Sequence, residues 1–198
     1  GSESGSFTAG PWLSGPSVPF AITSESALTI TNIAGHLWGT SISGNNTIGA
    51  PGELPAAFPK GFGAFYCMKY PVTQGQYADF LNLLTQAQAN TRWLNSYGTQ
   101  RNIVKRLGEA GSYTYSAAEA PDRACNYLSW GDDLAYADWA GLRPMTELEY
   151  EKACRGPAEP VPAEYAWGTA AYTAQTGYDP AAAEGSGIET ATPAGANF

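Results

Sequence analysis

The three cysteines, Cys67, Cys125 and Cys154, carry the richest chemistry in this 198-residue chain. A thiolate can act as nucleophile, redox centre or metal ligand. Their spacing matches no zinc pattern, and His36 is the single histidine available to help, so a Cys/His metal site is not expected. Two arrangements stay open: three buried reduced thiols, or one disulfide with a third thiol left over.

Carboxylates are the second candidates. Asp132 and Asp133 are adjacent, and Glu147, Glu149 and Glu151 crowd into the stretch "GLRPMTELEYEKACRG" at 141–156. General acid–base work needs such a group paired with a nucleophile, a histidine or a second, distant acid. None accompanies these acids in sequence. Both clusters fall where a helix should begin, and negative charge there is stabilised by about 0.3–1 kcal/mol per group. They are expected to cap helices. His36, beside Trp38 and remote from other ligating residues, is expected to be a packed or surface side chain.

The elements that would position these groups are legible in part. Thr73 with Gln76, Ser129 with Asp132, and Thr146 with Glu149 each form a capping-box pattern, in which the two side chains satisfy reciprocal backbone donors. Behind the first, Tyr77, Phe80, Leu81 and Leu84 recur on one helical face, predicting a helix of about three turns. Gly141 and Gly156 suit helix exits. Phe65 to Tyr70 and Cys125 to Leu128 read as strands. Residues 86–120 are polar and Tyr-rich, and "LGEAGSYTYSAAEAP" reads as loop or short hairpin. Residues 1–60 read as strands and loops, with "ALTIT" and "NTIG" as β-runs, and the Ala/Gly/Thr-rich stretch after "YAWG" reads as irregular.

Composition bounds the rest. Hydrophobic residues make up 43% and charged residues 14%, with 23 Gly, 14 Pro, 12 Tyr and 6 Trp, which suits a loop-rich globular protein anchored by aromatics and argues against disorder. Ten Lys and Arg and a net charge of -8 argue against a nucleic-acid partner. No apolar run reaches the roughly 20 residues of a membrane span. The leading "GSESGS" reads as a trimmed or appended start.

The ordered segments "YCMKYPVTQGQYADFL", "NYLSWGDDLAYADWAGLRPMTELEYEKACRG" and "YAWG", spanning residues 64–168, resemble the formylglycine-generating enzyme family, also called the sulfatase-modifying-factor family. Arg143-Pro144-Met145-Thr146-Glu147 stands where that family shows R-L-P-T-E, and Tyr150 where Trp is usual. The resemblance implies an α+β, C-type-lectin-like fold, with residues 1–60 as an extension packing on a domain at 61–198 whose C-terminal part is missing. It also implies that the copper- or iron-binding groups of the active enzymes lie downstream of residue 198. It makes Cys154 a structural cysteine with a C-terminal partner, and Ala137 a position often cysteine. Finally, it makes Asn197 and the carbonyl of Phe198, in "GANF", candidate ligands of a partial calcium site.

On this basis the expected function is a non-catalytic, secreted or cell-surface binding or assembly domain, placed outside the cytoplasm of a bacterium. It would associate with a protein partner, a complementing segment or itself. The alternative is the N-terminal part of a formylglycine-generating-type oxidase.

Overall fold

A computed structural model describes residues 4–9, 19–31, 37, 52–98, 101–159, 171–174, 177–178 and 191–192. In chain order the elements are β1 (Phe7–Ala9), β2 (Phe20–Ile22), β3 (Leu28–Ile30), β4 (Gly52–Leu54), α1 (Gln74–Leu83), α2 (Gln86–Arg92), β5 (Lys105–Leu107), β6 (Thr114–Ser116), α3 (Trp130–Trp139), α4 (Glu147–Arg155), β7 (Gly177–Tyr178) and β8 (Ala191–Thr192). The strands pair as four small antiparallel ladders, β1–β2, β3–β4, β5–β6 and β7–β8. The fold class is α+β. The chain divides into two compact units.

The first unit joins Gly1–Cys67 to Met145–Thr173. Strand β1 pairs β2 with Phe7 opposite Ile22, which puts both side chains on one face. That face buries against Leu148 of α4, with Phe20, Leu28, Leu54 and Phe62 around it. Thr146 and Glu149 cap α4, and the Thr146 hydroxyl also donates to the Pro59 carbonyl at 2.8 Å. Lys152 Nζ, six residues later, donates to the Gly61 carbonyl at 2.6 Å. The turn at 59–61 is thus held against the helix by two side chains. Gly61 has φ +82, and a Cβ there would meet Glu149 Cα and the Leu148 carbonyl at 3.3 Å. Only glycine fits this approach without strain.

The same turn buries a cation. Lys60 is 0% exposed. Its ammonium donates to the carbonyls of Pro55 (2.8 Å), Phe58 (2.9 Å) and Glu25 (3.2 Å). The Glu25 carboxylate accepts from the backbone N–H groups of Lys60 (2.6 Å) and Gly63 (2.8 Å). All three ammonium protons have acceptors, which is the condition under which a charge can stay buried.

The second unit joins Met68–Pro144 to Ala174–Phe198. Its core contains Tyr77, Ala78, Phe80 and Leu81 of α1, Ala89 of α2, Val104, Tyr115 and Ala117 at the β5–β6 hairpin, and Tyr136 of α3. Phe80 meets Tyr136 edge-on at 5.6 Å and Trp139 at 5.4 Å, docking α1 on α3. Gln74 is fully buried: its Nε2 donates to the carbonyls of Arg101 and Ala124, and its Oε1 accepts from Ile103 N. Gly75 lies so close to Pro121 that a Cβ would meet Pro121 Cβ at 2.9 Å.

Three elements differ from the sequence reading. Residues 65–70 form no regular strand, and Tyr66, Cys67, Met68 and Tyr70 are exposed. Their aromatic composition is β-like, but side chains facing water offer no buried face to pair against. Cys125 to Leu128 is not a strand either. A single bridge joins Thr73 to Ala124, and Tyr127 then takes φ 60, which breaks an extended run. Conversely, α2 arises at the start of the polar, Tyr-rich stretch, where the sequence reading has no helix. The β-run at 46–49 lies outside the described residues, and the irregular stretch near the C-terminus includes the short β7–β8 pair.

Candidate functional site

Two of the acids around Thr146, Glu149 and Glu151, are engaged within α4. Glu149 is 2% exposed, its carboxylate accepts from Thr146 N at 2.9 Å, and its own N–H donates to Thr146 Oγ1 at 3.2 Å. Glu151 pairs with Arg155 at 2.8 Å, one helical turn on. Burial, and then the neighbouring Glu151, push the Glu147 carboxyl above its ordinary range. Cys154 is exposed on the same helix, and the Tyr150 hydroxyl, donating to its sulfur, is raised from its ordinary value.

Asp132 is likewise a cap that also holds an arginine. Its Oδ2 accepts from Ser129 N (2.9 Å) and Ser129 Oγ (2.7 Å), and its Oδ1 pairs with Arg92 Nη1 at 3.3 Å. Arg92 Nη1 also donates to the Gly131 carbonyl at 2.9 Å. Behind them the Tyr77 hydroxyl donates to the Arg92 carbonyl at 2.9 Å. Burial raises the Tyr77 hydroxyl strongly, aided by Asp132. Burial, then Asp133 and Asp132, push the Cys125 thiol up to about 12. A thiol held protonated next to two carboxylates is a poor nucleophile and a poor metal ligand. No disulfide joins any of the three cysteines, and Cys67 and Cys154 are exposed, so neither expected arrangement of thiols is the one found.

The most organised polar surface lies in the polar, Tyr-rich stretch at 86–120. Arg106 on β5 sits between two rings, its guanidinium carbon 4.1 Å from the centroid of Trp93 and 4.1 Å from that of Tyr113. The hairpin register puts Arg106 opposite Tyr115, so Tyr113 is its diagonal neighbour on the same face. Trp93 is the C-cap of α2 and is pinned by a hydrogen bond from Nε1 to the Val104 carbonyl at 3.4 Å. Tyr113 is held through its backbone, which exchanges two 2.8 Å hydrogen bonds with the Gln86 carboxamide. Beside this stack, Lys105 pairs with Glu119 and lies 4.5 Å over the Tyr97 ring. That pairing raises Lys105 and lowers Glu119 from their ordinary values. One sequence signal was available for the platform: Thr85 followed three residues later by Gln88 is a fourth capping box.

Among the described residues no group of three or more His, Cys, Asp or Glu side chains could hold a metal ion. The calcium candidates Asn197 and Phe198, and also His36, lie outside the described residues. No helix among the described residues is long and apolar enough to cross a membrane.

Residues 39–196 match the sulfatase-modifying factor enzyme 1-like domain. The chain belongs to this family. The match begins at residue 39, earlier than the motifs at 64–168 indicate. Among relatives, the chain is 32% identical over 117 residues to a hercynine oxygenase of Mycobacterium tuberculosis, covering 54% of this chain and 27% of that protein. It is 40% identical over 121 residues to the hercynine oxygenase of Mycolicibacterium thermoresistibile, covering 56% of this chain and 27% of the relative. It is 43% identical over 53 residues to the formylglycine-generating enzyme of Thermomonospora curvata, covering 27% of this chain and 17% of that enzyme. The chain thus spans about a quarter or less of the length of these sulfatase-modifying-factor relatives. No solved structure matches it.

Proposed function

We propose that this chain is part of an oxidising enzyme of the sulfatase-modifying factor type, of the kind named by its formylglycine-generating and hercynine-oxygenating relatives. The observation that carries the reading is the identity to two hercynine oxygenases over more than half of the chain. In this reading the described residues build the scaffold of a C-type-lectin-like domain, with residues 1–60 packing on it, and residues outside those described supply the reacting and metal-binding groups. The protonated state of Cys125 supports that division of labour.

The test uses the protein at the length its source organism makes, established by intact mass. Oxygen uptake is followed with copper or iron supplied, first on a cysteine-containing peptide and then on hercynine with a thiol. Substrate-dependent uptake with an oxidised product supports the reading. No uptake with any pairing of metal and substrate overturns it.

A second reading is a non-catalytic secreted or cell-surface binding domain, with calcium held through Asn197 and the Phe198 carbonyl. The observation favouring it is the exposure of individual aromatic side chains: Tyr66 is 90% exposed, Trp130 66% and Tyr70 65%. Exposed Tyr and Trp are the residues that contact surfaces concentrate. Light scattering on residues 1–198 separates the cases. Association with itself or a protein partner, unchanged by loss of oxidase activity, supports this second reading, and a lone, well-behaved monomer counts against it.

A further inference from the structure

We propose that Arg106 anchors a binding site for a carboxylate-bearing ligand, walled by Trp93 and Tyr113. The chain carries 18 acids and 10 bases, so a cation here has acids to spare. Arg92 pairs with Asp132, Lys105 with Glu119 and Arg155 with Glu151. Arg106 pairs with no carboxylate among the described residues. Its contacts are the two rings, the Tyr115 hydroxyl, and a long 3.4 Å hydrogen bond from Nη1 to Asn90 Oδ1.

A guanidinium has five N–H donors in one plane. Two ring centroids lie 4.1 Å from its central carbon, and the edge of the fork is where a planar anion is held by two parallel hydrogen bonds. The side chain is neither fully buried nor fully exposed, so ligand can reach it and desolvation strengthens the pair. The geometry is also fixed in advance. Trp93 is tied to Val104, Tyr113 to Gln86, and the Tyr115 hydroxyl lies 3.4 Å from the same Asn90 oxygen. An arginine whose role was only to fasten the hairpin to α2 would not need this, because Asn82 and Gln86 already fasten it through the backbone of Tyr115 and Tyr113. A carboxylate fits better than a metal or a cation, which the guanidinium would repel.

The test is a titration of residues 1–198 with sodium acetate, with sodium chloride as the matched control, read by NMR of the Arg106 side-chain N–H and Trp93 Nε1–H signals. The expected result is a saturable shift of both signals with acetate and none that saturates with chloride. Arg106→Lys keeps the charge but loses the fork, and should weaken acetate binding by about tenfold or more, with the backbone spectrum otherwise preserved. If that variant fails to fold, Asn90→Ala serves instead. It removes the carboxamide beside the guanidinium, and the Arg106 signal should still saturate with acetate. Equal responses to acetate and chloride, undiminished binding in Arg106→Lys, or tighter saturation by phosphate than by acetate would each overturn the assignment.

Discussion

Asn82 and Tyr115 exchange two hydrogen bonds: Asn82 Nδ2 donates to the Tyr115 carbonyl at 2.8 Å, and Tyr115 N donates to Asn82 Oδ1 at 2.8 Å. Gln86, the first residue of α2, makes the same exchange with Tyr113. Two carboxamides spaced four residues apart therefore satisfy Tyr113, just before β6, and Tyr115 within it, as a neighbouring strand would. A two-stranded hairpin has open edges that invite pairing with other chains. Here one edge is closed by side chains, which lets a hairpin with three-residue strands persist against α1.

This closure makes a prediction. Asn82→Ala leaves a buried donor and acceptor on Tyr115 without their partners and should destabilise the protein by about 2–4 kcal/mol in urea denaturation. Asn82→Asp keeps the acceptor but sets a carboxylate against the Tyr115 carbonyl, and should be worse at neutral pH than at pH 4. Equal stability of Asn82→Asp at the two pH values would show that the carboxamide is not closing the edge.

The caps give a second prediction. The side chains answering the N-cap are Gln76, Gln88, Asp132 and Glu149 in the four helices. Because the role is to accept from a backbone N–H, and glutamine performs it twice in this chain, Glu149→Gln should cost well under 1 kcal/mol. Thr146→Ala, which also loses the bond to Pro59, should cost about 1–2 kcal/mol. A Glu149→Gln variant that folds normally but loses an activity would instead assign that carboxylate to chemistry.

The thiols give a third. Cys67 and Cys154 are exposed and should be alkylated at pH 8 within minutes, whereas Cys125, held near 12, should react only in denaturant. Counting adducts by mass before and after adding urea checks this. The raised values of Cys125 and Tyr77 also set an alkaline limit. Their protonated forms are favoured in the folded state, so their contribution is complete below the unfolded thiol value, about 8.5, and declines as pH rises toward 12. Thermal melts at pH 8 and pH 11 should show lower stability at the higher pH, and Cys125→Ala should narrow the difference.

What was legible in the sequence was local. Thr73, Ser129 and Thr146 announce α1, α3 and α4 because a capping box spans four residues, and Gly141 and Gly156 close the last two with positive φ. Helix α2 buries only Ala89, so it has no apolar stripe to read, and its signature was the Thr85–Gln88 pair alone. The strands expected at 65–70 and 125–128 failed because β-forming composition does not supply a pairing partner. The Arg106 platform was invisible for a different reason. Trp93, Arg106 and Tyr113 meet only through the hairpin register and the end of α2, a coincidence of three elements that no spacing rule encodes.

Lys60 has a consequence for how the first unit responds to its surroundings. Loops closed around a bare ion open when a chelator strips that ion or when dilution lets it escape. Here the positive centre is soldered to the polypeptide, so the turn at 55–63 should keep its shape in EDTA and at any calcium level, and only unfolding or a substitution at Lys60 can remove its keystone.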